Sequence, residues 1–391
     1  MKNNQKGDGM KQTFYADKFF LMHEVKEKGY LLIENGVFSG FKPNKPSTEY
    51  DLTDYSGKWI APGLVDTHIH GIFDYDVMDN HLAGLKTMSR ALLQCGVTSF
   101  LPTTLTSSVP EINSTVQTIG EQYHTMEGAK IQGIFIEGPF FTEKYKGAQN
   151  AKYFLPPDME LLNQWQTLAK GLIKKIAIAP EYPEATEFIR AATKQGIVVA
   201  LAHSDATYEQ AVLAVEQGAS MFTHTFNGMS GLHHREPGMI GAALSLKGVY
   251  NELICDWQHV HPVTSKILLD ATGRNRMVLI SDSIKAALMP EGTYNLGEFQ
   301  VTVKDGQARI PSGNLAGSVL LLKDAVKNVV EQGLATVHEA INMASIIPAK
   351  SVGIDHLCGK ISVGHPADFI VLDKKLDLHA TYVSGNLLYH T

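Results

Sequence analysis

The chain has 391 residues, 44% of them hydrophobic, so it can bury a large core and is longer than one ordinary domain. Its formal net charge of −6 provides no basic surface for nucleic-acid phosphates or anionic lipids, which makes both poor partners. The sequence contains no apolar run long enough to span a bilayer, and we therefore expect a cytoplasmic protein.

The first 57 residues predict the N-terminal part of a small β domain. Residues 1 to about 10 are polar and rich in Gly and Asn, which indicates a disordered extension. Alternating runs follow at 30–33 and 36–41, and Pro, Asn and Gly interrupt them as in strands joined by tight turns. Because residues 359–391 have the same character, we expect both chain ends to pair in one small β-sandwich.

Residues 58–358 alternate apolar, strand-like runs with longer amphipathic stretches, which is the pattern of βα units in a parallel sheet. The predicted strands are 59–68, 97–104, 131–137, 173–180, 196–203, 220–226, 249–256 and 276–282. Eight such strands favour a closed, TIM-like (β/α)₈ barrel over an open doubly wound sheet, within the α/β class. The segment 290–307 instead predicts an inserted hairpin.

The three cysteines, Cys95, Cys255 and Cys358, are odd in number and widely spaced. This pattern argues against a disulfide framework and against a cysteine-based zinc site. It favours buried, reduced thiols.

Chemically reactive side chains stand where the predicted strands end. Active sites of barrel enzymes form at the carboxyl ends of their strands, so this is where ligands are expected. His68 and His70 are two residues apart, and on an extended segment both project to the same side. The other strand ends carry Glu137, His203, His224 and Asp282. One such histidine alone would more readily be a hydrogen-bonded core residue, but six such groups on one rim predict a shared site.

The donor atoms of this rim predict a metal centre. The expected ligands are His68, His70, Glu137, His203 and His224. Four imidazole nitrogens and one carboxylate suit Zn²⁺ or Fe²⁺ rather than Ca²⁺ or Mg²⁺. Five ligands are too many for one catalytic metal that keeps an open position, but they suit two metals about 3.5 to 4 Å apart, bridged by Glu137. Asp282 would take a proton from the activated water, or else hold a ligand histidine in place.

These motifs resemble those of the amidohydrolase superfamily, beginning with PGLVDTHIHG. The further segments EGPF, KGAQN, AHSDAT, HTFNGM, HHREPG and NLAGS resemble the N-acetylglucosamine-6-phosphate deacetylase family over about residues 12–389. Most superfamily members use a carboxylated lysine on the fourth strand, where this chain offers only residues 178–180. The deacetylases use a glutamate on the third strand instead, and Glu137 stands at that position.

The resemblance implies which ligands share a metal. Glu137, His203 and His224 would hold the principal metal ion. His68 and His70 would hold a second one, as in those members of the family that keep this histidine pair.

The same resemblance implies a set of substrate contacts. They are Ala148, Gln149, Asn227, Gly228, Arg235, His259, Leu315, Ala316 and Gly317. Arg235 has the strongest physical case, because a guanidinium offers the planar, bidentate donor pair that suits a phosphate. His259 would donate to a sugar hydroxyl, the phosphate or the scissile carbonyl. Gln149 stands where several relatives have histidine, which leaves the choice of amino sugar open.

The implied activity is hydrolysis of N-acetylglucosamine 6-phosphate to glucosamine 6-phosphate and acetate, with Asp282 passing a proton to the leaving amine. Another amino-sugar phosphate, such as N-acetylgalactosamine 6-phosphate, is an alternative substrate. An aminoacylase or a dihydroorotase-like enzyme is an alternative of different specificity, and a catalytically silent metal-binding barrel is one of a different class. The resemblance also implies a homodimer, in which residues near Arg235 reach a neighbour's pocket.

Overall fold

A computed structural model describes residues 11–47 and 49–391. The predicted disorder of residues 1 to about 10 therefore falls outside the described residues. Within the described ranges, no helix combines the length and the apolarity that crossing a bilayer requires.

Strands and helices alternate through the middle of the chain, and the regular structure near both ends consists of strands. The strands are β1 Lys11–Phe20, β2 Val25–Glu34, β3 Val37–Lys42, β4 Asp51–Pro62, β5 Leu64–Ile69, β6 Gly71–Ile72, β7 Tyr75–Asp76, β8 Val97–Pro102, β9 Lys130–Ile131, β10 Ile134–Glu137, β11 Ile173–Ile178, β12 Val198–Leu201, β13 Met221–Phe222, β14 Tyr250–Leu253, β15 Met277–Leu279, β16 Gly292–Leu296, β17 Phe299–Lys304, β18 Gln307–Arg309, β19 Phe369–Leu372, β20 Leu378–Val383 and β21 Asn386–His390. The α-helices are α1 Leu82–Leu92, α2 Val109–Gln122, α3 Met159–Leu168, α4 Ala185–Lys194, α5 Tyr208–Glu216, α6 Gly238–Ser245, α7 Pro262–Thr272, α8 Leu322–Glu331, α9 Val337–Met343 and α10 Ile346–Ser351.

Strands from both chain ends form one seven-stranded sheet, here called the terminal sheet, in the order β21-β20-β19-β4-β1-β2-β3. β4 lies parallel to β1 and antiparallel to β19, with Pro62 opposite Phe369. The rings of Phe369 and Tyr382 stack at 4.4 Å, and Phe14 meets both of them edge to face. The expected pairing of the two chain ends is therefore confirmed.

Nine strands of the middle region run parallel in two hydrogen-bonded sheets, β5-β8-β9 and β10-β11-β12-β13-β14-β15. A bridge between Thr103 and Phe135 links the two sheets. The Asp282 amide donates to the His68 carbonyl at 2.9 Å, which joins the segment after β15 to β5. Each of the eight predicted strand runs overlaps at least one strand of this series, so the α/β class with a parallel sheet is confirmed.

Two segments differ from the prediction. The first parallel strand begins at Leu64 rather than at Trp59, because residues 59–62 continue β4 and pair with β19 in the terminal sheet. The hairpin predicted at 290–307 has a third strand, since β18 pairs antiparallel with β17. The apolar residues of this three-stranded insertion pack against Ile284, just beyond β15, which places the insertion beside the carboxyl ends of the parallel strands.

The helices between these strands follow local sequence signals. α5 begins with a capping box between Thr207 and Gln210, and α9 with one between Thr336 and Glu339. The buried residues of α4 recur three or four positions apart, so one face of this helix packs against β12. The three cysteines are buried and free, as the sequence predicts.

An ion pair ties the terminal sheet to the parallel strands and gives a test of this packing. Lys130 in β9 contacts both carboxylate oxygens of the buried Asp368, at 2.8 and 2.9 Å. Lys130→Met should lower the free energy of unfolding by about 3 kcal/mol, because it leaves a buried carboxylate without its cation. Lys86→Met, the control, removes a pair with the exposed Glu127 and should cost less than about 1 kcal/mol. Urea unfolding measures both variants, and equal losses would contradict this account.

Candidate active site

The six predicted rim residues lie together at the carboxyl ends of the parallel strands. His68 belongs to β5 and Glu137 ends β10. His203, His224 and Asp282 lie just beyond the ends of their strands, with positive backbone φ angles of 46°, 31° and 48°. Such angles cost a non-glycine residue on the order of 1–3 kcal/mol and cluster at functional sites. They mark the turns at which these three strands end and their side chains enter the cluster.

The Glu137 carboxylate is the centre of the cluster. Its Oε1 lies 3.2 Å from His224 Nε2, 3.4 Å from His68 Nε2 and 3.7 Å from His203 Nε2. Its Oε2 lies 3.3 Å from His70 Nε2. Burial would raise the pKa of Glu137, but the surrounding imidazoles, His68 foremost, hold it well below the usual value. Four imidazoles thus converge on one carboxylate that stays ionised.

The donor atoms fall into two groups, and within each group they lie no more than 4.8 Å apart. The first group is Glu137, His203 and His224, and the second is His68, His70 and Asp282. All six side chains are buried, and His68 Nε2 has no hydrogen-bond partner among the described residues. An unpaired buried nitrogen costs free energy unless a ligand meets it. Both groups therefore fit a divalent metal that prefers imidazole and carboxylate donors.

The Asp282 carboxylate lies close to the two histidines of the second group. Its Oδ1 lies 3.3 Å from Nε2 of both His68 and His70. Burial would raise the pKa of Asp282, but His68 and His70 lower it to about 2. The carboxylate is therefore ionised at neutral pH, where it can accept a proton or contact a metal.

The second ring nitrogen of two of these histidines is already engaged. His203 Nδ1 lies 3.1 Å from the carbonyl oxygen of Tyr145, and His224 Nδ1 lies 3.0 Å from that of Asn227. A carbonyl can only accept, so Nδ1–H is the donor in both hydrogen bonds. This tautomer leaves each Nε2 with a lone pair that faces Glu137 and can bind a metal.

A cleft of about 340 Å³ opens onto the cluster, a volume in the range of small-molecule sites. Seven of the nine predicted substrate contacts line it, namely Ala148, Gln149, Asn227, Gly228, His259, Leu315 and Gly317. Gln149 donates to Glu137 Oε2 at 2.6 Å, and His259 Nδ1 lies 2.7 Å from Asp256 Oδ2. Both side chains are thus held in place by neighbouring carboxylates.

Two of the predicted substrate contacts lie outside this cleft. Ala316 is buried among the apolar residues under the insertion, and its amide donates to Ala308. Arg235 is exposed, with Nη1 2.6 Å from His234 Nε2, and it lines a separate cavity beside Lys144. Within one chain, Arg235 therefore lines a different cavity from the cleft, together with other residues of its loop, and residue spacing could not predict this placement.

Four polar residues at or beneath the site were missed by the sequence analysis: Lys175, Glu252, Arg309 and Asn314. Arg309 and Asn314 line the cleft from the insertion. Glu252 Oε2 lies 3.0 Å from His68 Nδ1, and Lys175 pairs with the other oxygen of Glu252. The available signal was a charged residue inside an apolar strand, as in IKKIAI and YNELI. The fourth parallel strand thus carries a lysine, but within the strand rather than at its carboxyl end.

Comparison with known proteins extends these observations. The model of the amidohydrolase family matches residues 59–388. An N-acetylglucosamine-6-phosphate deacetylase of Vibrio furnissii is 39% identical over 91% of this chain and 89% of its own. An N-acetylgalactosamine-6-phosphate deacetylase of Escherichia coli O157:H7 is 37% identical over 91% of this chain and 94% of its own.

A solved structure shares the fold across almost the whole chain. It is a mutant N-acetyl-D-glucosamine-6-phosphate deacetylase of Mycobacterium smegmatis in complex with N-acetyl-D-glucosamine-6-phosphate. Its TM-score is 0.91 at 27% identity, and the match covers 97% of this chain and 100% of that one. The similarity therefore includes the terminal sheet as well as the parallel strands.

Metal uptake should compete with protons at His68. Burial lowers the pKa of His68, but neighbouring carboxylates, Asp282 foremost, raise it overall to about 9. Without metal, the imidazole is therefore protonated below about pH 9, and a metal must displace that proton. Zinc binding to chelator-treated protein should release protons and weaken as the pH falls, which titration in weak buffer measures. His68→Asn should lose part of this release, whereas the exposed control His124→Asn should not, and equal release from both would refute the assignment.

Proposed function

This chain belongs to the N-acetylglucosamine-6-phosphate deacetylase family of amidohydrolases, from which we propose that it converts N-acetylglucosamine 6-phosphate to glucosamine 6-phosphate and acetate. The observation that carries the proposal is the meeting of Glu137, four histidines and Asp282 at the floor of a sugar-sized cleft. Relatives named for this activity match nine-tenths of the chain, which supports the choice of substrate.

The finer architecture is part of the proposal. β5, β8, β9 with β10, and β11 to β15 would be the eight strands of a closed, TIM-like (β/α)₈ barrel within residues 58–358. The backbone hydrogen bond from Asp282 to His68 supports closure. The accompanying small β-sandwich would contain the described part of residues 1–57, the end of β4 at residues 58–62, and residues 359–391, which the aromatic packing between the two chain ends supports.

The rim residues would hold two divalent metals, zinc or iron. Glu137, His203 and His224 would bind one of them, while His68 and His70, joined by Asp282, would bind the other. Glu137 faces both groups, which supports a bridging position. Such metals supply Lewis acidity toward the acetamide carbonyl and lower the pKa of a water molecule.

Asp282 moves the proton of the reaction. As an ionised carboxylate it accepts a proton from the attacking water, whose oxygen bonds to the acetamide carbon. It then gives this proton to the sugar nitrogen as the carbon–nitrogen bond breaks, so acetate and the free amine leave. His259, oriented by Asp256, would donate to the carbonyl oxygen or to a sugar hydroxyl.

Two arginines could recognise the phosphate, and their positions assign them different partners. Arg309 lines the cleft and is anchored by Nε donating to Gln307 at 2.9 Å and by Nη1 donating to Gly313 at 2.5 Å. Its other N–H groups stay available for phosphate oxygens, so we assign it to substrate in its own chain. Arg235 would instead serve the cleft of a second copy in a homodimer.

The remaining cleft residues would contact the sugar. Ala148, Gln149, Asn227, Gly228, Leu315 and Gly317 line the space next to the cluster, while Ala316 would act from behind by holding the shape of the wall. The galacto epimer is a second candidate, because the E. coli relative is named for it and is nearly as similar to this chain. A phosphorylated sugar carries a charge that opposes unaided passage through a membrane, so we place the enzyme with its substrate in the cytoplasm.

Replacing the proton carrier gives the first test of this mechanism. Asp282→Asn should lower kcat by about 10²- to 10⁴-fold, because the amide cannot accept the proton of water. Metal bound by Glu137, His203 and His224 should remain, as elemental analysis can determine. Asp205→Asn changes an exposed carboxylate outside the cleft and should keep normal turnover. Near-normal turnover of Asp282→Asn would remove Asp282 from the mechanism.

Phosphate recognition is tested with paired sugars and paired arginines. Arg309→Ala should raise KM for N-acetylglucosamine 6-phosphate about 10- to 100-fold with little change in kcat, since a charge-assisted hydrogen bond is lost from a distant part of the substrate. It should leave hydrolysis of unphosphorylated N-acetylglucosamine unchanged. Arg190→Ala, in an exposed helix position, is the matched control.

The same assays distinguish the alternatives. Arg235→Ala should also raise KM if the chain forms the proposed homodimer, which analytical ultracentrifugation reports independently. Wild-type enzyme with equal KM values for phosphorylated and unphosphorylated sugars would point to an aminoacylase or a dihydroorotase-like enzyme instead. A faster reaction with N-acetylgalactosamine 6-phosphate would assign the galacto epimer.

A further inference from the structure

We propose that Glu252 and Lys175 form a buried positioning pair that aligns both groups of metal-binding residues, so that its loss weakens metal binding without removing a ligand. The inference rests on the metal-binding part of the proposed function. Both residues lie within strands rather than at their ends: Lys175 is the third residue of β11, and Glu252 is the third residue of β14. They therefore stand beneath the rim and behind the cluster.

The first contact fixes the ring of His68. Glu252 Oε2 lies 3.0 Å from His68 Nδ1, and both side chains are completely buried. An ionised carboxylate only accepts hydrogen bonds, so Nδ1–H of the imidazole donates to Glu252. The proton that a metal must displace is then the one on Nε2, the atom that lies 3.4 Å from Glu137 and 3.3 Å from Asp282, and its loss leaves the lone pair of the ring at that atom. Carboxylates behind metal-binding histidines orient the ring and raise its basicity in this way.

The second contact reaches the other group of ligands. The same Oε2 of Glu252 accepts the backbone N–H of His224 at 3.3 Å. His224 has a φ angle of 31°, a backbone conformation that needs support from its surroundings. One oxygen thus touches a member of each group, His68 through its side chain and His224 through its main chain. Glu252 therefore helps to set the spacing between the two groups as well as the direction of one ring.

Lys175 makes a buried charge at this position possible. Its Nζ pairs with Glu252 Oε1 and lies 3.6 Å from the centre of the Phe135 ring. The Phe135 ring in turn meets the His68 ring edge to face at 4.9 Å. Both charged side chains are fully buried, so Glu252 without Lys175 would be an uncompensated charge inside the protein. The lysine thus neutralises the carboxylate, and Phe135 packs against both Lys175 and His68.

A structural ion pair would destabilise the fold when broken but leave metal affinity unchanged, and two variants separate these roles. Glu252→Asp keeps the negative charge at this position and leaves Lys175 in place, but the side chain toward His68 is shorter by one methylene group. Glu252→Gln combined with Lys175→Met removes both charges together, so no buried charge is left unpaired. Glu181→Gln is the matched control, since this carboxylate accepts hydrogen bonds from Ser204 and Asp205 rather than from a ligand histidine.

The measurement is zinc binding to the full chain, by competition with a chromophoric chelator and by elemental analysis after dialysis at fixed free zinc. Both Glu252 variants should bind at least one zinc about 10- to 100-fold more weakly than wild type. Glu181→Gln should bind as wild type does. Urea unfolding of the metal-free proteins, measured in parallel, shows whether each variant is folded.

Folded variants that bind zinc with wild-type stoichiometry and affinity would overturn the proposal. If Glu252→Asp is the only one to fold, its affinity alone decides the question. Wild-type chain that binds no zinc or iron would instead defeat the proposed function, so the two failures are distinguishable.

Discussion

A carboxylate buried among imidazoles is stable only if its charge is matched, and Glu137 imposes this constraint on the whole rim. Four histidine nitrogens lie within 3.7 Å of its two oxygens, and they come from three different segments of the chain, since His68 and His70 share one. Each of these segments must therefore end at the same height and turn there, which explains why His203 and His224 tolerate left-handed backbone angles. The parallel strands fix the direction of the side chains, and the electrostatics of the cluster fixes their identity.

The rim could be predicted from sequence because strand direction alone determines it. A histidine or an acid directly after an apolar run must lie at the carboxyl end of that strand, so His68, Glu137 and Asp282 were identifiable before any contact was known. Glu252 and Lys175 were not, because each is a charged residue inside a mainly apolar strand and its partner lies on another strand. Their pairing depends on the order of strands across the sheet, which residue spacing does not contain.

The positions of residues in loops and in the insertion could not be predicted from residue spacing either. Arg235 belongs to a recognisable motif, but it and its neighbours in the motif line a separate cavity instead of the cleft. Arg309 gave no signal, since it reaches the cleft only after a three-stranded insertion folds back onto the rim. Residues 59–62 are apolar like the strand that follows them, so only their partner in β19 reveals that they belong to the terminal sheet.

The terminal sheet can be completed only late in the synthesis of the chain on the ribosome. β4 needs β19 as its neighbour, yet about three hundred positions separate Pro62 from Phe369. While the nascent chain grows, Phe14 and the edge of β4 lack their final partners. An unpaired strand edge favours association with other chains. The C-terminal strands β19 to β21 therefore complete the sheet last. Synthesis that stops before β19 would leave this edge of β4 without a partner.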